Sequence, residues 1–86
     1  MKRFAAFDDA ALISRLARLA RTEADLRERI EARIREAERE GRWVPTDPSY
    51  QRLAAALKQV LSELRATEQE HLARMSASGA GVFAPA

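Results

Sequence analysis

The side chain best equipped for proton transfer or metal ligation is His71, the one histidine in the chain. An imidazole does either job only when a nucleophile, carboxylates or further ligands converge on it. Glu68 and Glu70 stand close in sequence, but they read as ordinary helix-surface acids, and no serine has the companions of a nucleophile. His71 therefore reads as a half-buried structural residue between Leu64 and Leu72. The chain holds no Gly-rich phosphate loop, His-Glu-x-x-His, Cys-x-x-Cys or calcium loop. No catalytic, cofactor-binding or metal-binding residue is assigned, and the expectation is a protein that is not an enzyme, has no cofactor and takes no small-molecule substrate.

A second kind of chemistry is phosphate binding. On a helix advancing 100° per residue, Arg15, Arg18, Arg29 and Arg33 fall within about 60° of one another, away from the apolar seam, as candidate nucleic-acid contacts. Asp25 and Glu36 border that sector, and acids precede bases by four residues at Glu23 and Arg27, Asp25 and Arg29, Glu31 and Arg35, and Glu70 and Arg74. Interleaved charge describes a solvated face, and no aromatic residue stands in the stripe to stack a base. A weak nucleic-acid binder is kept as the alternative to a protein-binding role.

These residues are carried by a helix former's inventory. Ala, Leu, Arg and Glu dominate, whereas Gly and Pro number three each. Asp8 suits an N-cap, Asp9 the positive end of a helix dipole, and Phe7 and Leu12 the staple positions around them. Apolar residues then recur at 12, 16, 19, 26, 30 and 34 in steps of four and three, apart from the gap at Glu23. This spacing predicts helix 1 over about 9–40. Gly41, Pro45 and the pair Asp47-Pro48 mark a turn over 41–47. Helix 2 is expected over about 48–75, with Leu53, Leu57, Val60, Leu61, Leu64, Leu72 and Met75 on one face. The segment 77–86, closed by Pro85, has no periodicity and is expected to be a flexible tail on a hairpin formed by residues 1–76. Trp43 in the turn of such a hairpin is superficially similar to the Trp-x-Gly class of small secreted helical hairpins, but Trp43-Val44-Pro45 lacks the glycine.

The fold class that follows is all-α: a coiled-coil-like antiparallel two-helix hairpin. Folding back at 41–47 opposes positions whose numbers sum to about 88. Ile34 then meets Leu53 and Leu57, Leu26 meets Leu61 and Leu64, and Glu23 falls opposite Arg65. The first half of helix 1 carries more than this seam needs, because Ile13, Ala17, Ala20 and Ala24 form a second stripe that one partner helix cannot cover. Phe4 and Phe7 are expected beside that surplus, with Leu61 and Leu72 from helix 2 and Phe83 returning from the tail. These nine residues are the candidate protein interface, and self-association into a bundle or a foreign partner would answer the same burial problem. Trp43 and Tyr50 are expected to cap the hairpin tip against Ala37 and Leu53.

Bulk properties bound the rest. Eighty-six residues without a cysteine must be stabilised by helix packing or by association. Fifteen basic against thirteen acidic residues is close to balance despite a pI near 9.7, so net charge points to no polyanion. No apolar run approaches the roughly 18 residues of a membrane span, and Asp8 and Asp9 interrupt the Met-Lys-Arg-Phe start before it resembles a signal segment. No membrane partner and a cytoplasmic location, or one inside a phage particle, are expected. The bias to Arg over Lys suggests a bacterial or phage origin. The functional expectation is an interaction or structural subunit: an adaptor, a small chaperone, a component of an assembly, or a small inhibitor docking on a larger enzyme.

Overall fold

The structure is a computed structural model that describes residues 3–77. Over that range the chain is two helices, α1 (Asp9–Arg39) and α2 (Pro48–Ala77), packed against each other and joined through a single 3₁₀ turn at Val44–Thr46; there is no strand among the described residues. At 1.5 Å per residue their 31 and 30 residues make two rods of about 45 Å each. Neither is long and apolar enough to cross a membrane.

Each end of α1 is written locally. Asp8 stays extended and its carboxylate accepts the Ala11 N–H at 2.7 Å, while Asp9 puts a further negative charge in the first turn. At the other end the Arg42 N–H reaches the Ala37 carbonyl at 2.9 Å and the Gly41 N–H reaches that of Glu38 at 3.1 Å. This Schellman closure needs a left-handed residue at C′, and Gly41 supplies it with φ of 69°. The Thr46 and Asp47 N–H groups then close the 3₁₀ turn on the Trp43 and Val44 carbonyls, and Asp47 caps α2 by accepting the Tyr50 N–H at 2.8 Å. The helix limits agree with the sequence periodicity except that α2 continues two residues past Met75, to Ala77. Of the expected tail 77–86, Ala77 instead closes α2, and residues 78–86, Phe83 among them, lie outside the described residues.

The polar contacts across the hairpin set its register lower than the simple reversal expected. Arg33 meets Asp47, Arg15 meets Thr67 and Glu63, and Asp9 meets Arg74. These numbers sum to between 78 and 83, against the expected value of about 88 for a direct reversal. The connection doubles back through its 3₁₀ turn, so Asp47 comes to lie beside Arg33, more than a turn below the end of α1. Glu23 accordingly pairs with Arg27 in its own helix at 2.9 Å and not with Arg65.

The core is small. Leu12 and Ala37 are fully covered, Phe4 and Leu26 nearly so, and the other leucines and isoleucines of the seam are at best half-buried. Two cylinders touch along one line, so each helix keeps most of an apolar arc wider than that line. Thr67 is completely buried at the helix contact, with its hydroxyl donating to the Glu63 carbonyl at 2.7 Å and accepting Arg15 Nε at 3.2 Å. The hydroxyl is thereby satisfied at both of its roles.

Candidate interaction face

The two long sides of the hairpin differ. One is closed by charge and by the residues that precede α1. Arg15 reaches across the helix contact to Glu63 at 2.6 Å, and Arg3 grips the same carboxylate from the N-terminal segment. Arg74 joins Glu70 at 2.8 Å, Asp9 at 3.2 Å and the Phe4 carbonyl at 2.8 Å, tying the N-terminal segment to both helices. Phe4 and Phe7 meet edge to face with ring centres 5.7 Å apart, and the Arg15 guanidinium lies 5.8 and 5.9 Å from those centres. Glu63 is held below the usual carboxylate range, first by its hydrogen bond from Arg3 and then by the other charges and hydrogen bonds of Arg3 and Arg15.

Near the hairpin tip the same role falls to Asp47, which is 3% exposed. Arg33 binds it through two hydrogen bonds of 2.9 Å, Arg42 adds one of 2.7 Å, and the Tyr50 N–H completes the set. The paired N–H donors of a guanidinium match the two carboxylate oxygens in plane. Asp47 is held well below the usual carboxylate range, most strongly by Arg33, and the Arg33 guanidinium is stabilised in return.

The opposite side has no such closure. Ile30 of α1 and Tyr50, Ala54, Leu57 and Leu61 of α2 line a shallow open groove of about 750 Å³, with Lys58, Arg65 and Gln69 along its α2 flank. Further from the turn, Ile13 is 54% and Leu72 61% exposed. Projection at 100° per residue shows how these belong together. Along α1 the seam passes through Leu12, Leu19, Leu26, Ile30 and Ala37; Arg15 and Arg33 lie about 45° to one side, and Ile13, Ala20 and Ala24 about 110° to the other. On α2, Glu63 lies to the Arg15 side and Leu61 and Leu72 to the far side. The stripe on α1 and the groove on α2 therefore share one face, with Ala20 and Ala24 exposed along its α1 edge.

The structure sorts the expected site residues accordingly. It brings Ile13, Ala20, Ala24, Leu61 and Leu72 to the open side, whereas Ala17, expected with them, is exposed about 155° from the seam on the back of α1. Phe4 and Phe7, expected beside the surplus stripe, are instead used on the closed side, where Phe4 is only 6% exposed, because Arg3, Arg15 and Arg74 draw the N-terminal segment across α2. The arginine stripe does not stand free either. Arg15 and Arg33 turn toward α2 and Asp47, Arg29 pairs with Asp25 at 3.0 Å, and Arg18 alone of the four has no ion pair among the described residues. A guanidinium at the end of a long side chain reaches a carboxylate 45° away from its own Cα direction, which a helical projection does not register. The spacing of Glu31 and Arg35 closes no ion pair among the described residues. Trp43 caps nothing: it is 72% exposed, since the two tight turns from Gly41 to Thr46 reverse the chain without it.

His71 sits half-buried in the helix contact with its Nδ1 covered and unpartnered. No group of three or more His, Asp or Glu side chains placed to hold a metal ion occurs among the described residues. The residues that sequence reasoning missed are Arg3, Glu63, Thr67 and the second task of Asp47. The capping role of Asp47 was visible in Asp47-Pro48, but its guanidinium partners come from positions 14 residues before and 5 residues before it. No protein-family model, curated protein or solved structure matches the chain.

Proposed function

We propose that the protein is a non-enzymatic interaction subunit that docks a protein surface on its open apolar face. The observation that carries this reading is the asymmetry of the hairpin. Ion pairs and the N-terminal segment cover one side, whereas Ile13 and Leu72 stand more than half exposed beside a continuous groove on the other. Completing the burial of those two side chains is worth about 1 kcal/mol each, and a small chain with so slight a core gains proportionately from it. Lys58, Arg65 and Gln69 supply the polar rim that surrounds the apolar centre of a docking site.

Photo-crosslinking by position tests the reading. A benzophenone side chain placed at Ile13 or Leu61 should give protein adducts in cells, and the same group at Ser14 or Arg18, exposed on the outer side of α1, should give few or none. Equal yields from both sets, or adducts from the outer side alone, would sink it.

A further inference from the structure

We infer that the open face is occupied by a second copy of this chain, the two hairpins lying face to face about a two-fold axis parallel to the helices with their turns at the same end. This rests on the docking reading above and names its partner.

A two-fold axis along the hairpin sets α1 of one copy against α2 of the other, antiparallel and at the heights they already have within one chain. Asp9 stands level with Arg74, as their ion pair shows. Four residues further on, Ile13 comes level with residues 65 to 70, and Leu72, whose Cβ tilts toward the start of its helix, leans back over the upper end of that stretch. The two large side chains left most exposed on the helices, Ile13 and Leu72, thus meet across the axis, and each contact forms twice. Ala20 and Ala24 beside Ile13 present no bulk to hold the second α2 away.

The alternative two-fold, perpendicular to the helices, turns one hairpin end over end. Centred on α1, it sets Ile13 level with Arg35 and, at the register of this hairpin, carries Leu72 past the start of the other copy's α2, so only the parallel axis pairs the two exposed apolar side chains. Two rods of about 45 Å, each about 10 Å wide, offer about 900 Å² per copy, or about 1,800 Å² in all, which is the size of a standard stable interface.

Sedimentation equilibrium of the full chain at about 100 μM, far above the roughly micromolar Kd that the weaker interfaces of this size reach, should read twice the chain mass of 9.6 kDa. Ile13→Glu and Leu72→Lys should each reduce that to one chain, with the helical circular dichroism retained because both positions are exposed. The double variant should recover the paired mass, since its new charges are opposite and face each other across the axis. One-chain mass for the unaltered protein, pairing that survives both single changes, or no recovery in the double variant would overturn the inference. So would pairing that appears only after residues 78–86 are removed, which would make that segment the occupant. One-chain mass accompanied by adducts to another protein from positions 13 and 61 defeats the second copy and leaves the docking reading standing; one-chain mass with no face-specific adducts defeats both.

Discussion

Leu12 and Ile13 are adjacent in sequence and similar in size, yet the fold uses them in opposite ways, so replacing each by alanine measures what the hairpin buries. Leu12 is fully covered. Its truncation removes transfer free energy and leaves a cavity, for a cost of about 2–5 kcal/mol. Against a total stability of about 4–13 kcal/mol for a chain of 86 residues, that is a large share. Ile13 is 54% exposed, so its truncation forfeits less than half of the burial and encloses no cavity. The expected cost is about 1 kcal/mol or less at chain concentrations where the hairpin stands alone. Urea unfolding followed by circular dichroism at 222 nm reads both. With a slope of about 1 kcal/mol/M, the Leu12→Ala midpoint should fall by about 2 M or more and the Ile13→Ala midpoint by under about 1 M. Equal costs at low concentration, or a cost under about 1 kcal/mol for Leu12→Ala, would refute the division into a covered and an open side. A cost for Ile13→Ala that grows with chain concentration is expected if the open face is a docking surface.

Two further outcomes follow from the ends of the helices. Asp47 has a folded pKa lowered chiefly by Arg33, so the stability it contributes is present above the ordinary carboxylate pKa and is lost as pH falls toward the lowered value. Helicity measured between about pH 5 and pH 2 should therefore decline in the parent protein, and Asp47→Asn should be less stable at neutral pH with a shallower acid decline; an unchanged acid profile would refute this role. Gly41→Ala should cost about 1–2 kcal/mol through its positive φ alone, since an added Cβ meets nothing within 4 Å; thermal unfolding checks it, and no loss in midpoint would mean that the turn relaxes.

The two helices and the turn between them are encoded locally. Asp8, Gly41 and the Asp47-Pro48 pair act on backbone groups within four residues, and the three-and-four spacing of leucines marks the seam without reference to anything distant. Excess apolar arc is likewise a property of one helix, so the exposed residues Ile13, Ala20 and Ala24 were legible, whereas Ala17 falls on the back of α1. Which side each remaining residue serves is settled by the packing of the two helices. Arg15 and Arg33 looked like free cations because helical projection follows Cα directions, whereas a long guanidinium goes to the carboxylate that the other helix brings within reach. Phe4 and Phe7 precede the first helix and have no periodicity to place them, so their side was chosen by Arg3, Arg15 and Arg74. Closing one side with those groups is what leaves the other open, and that consequence is written in no single segment of the chain.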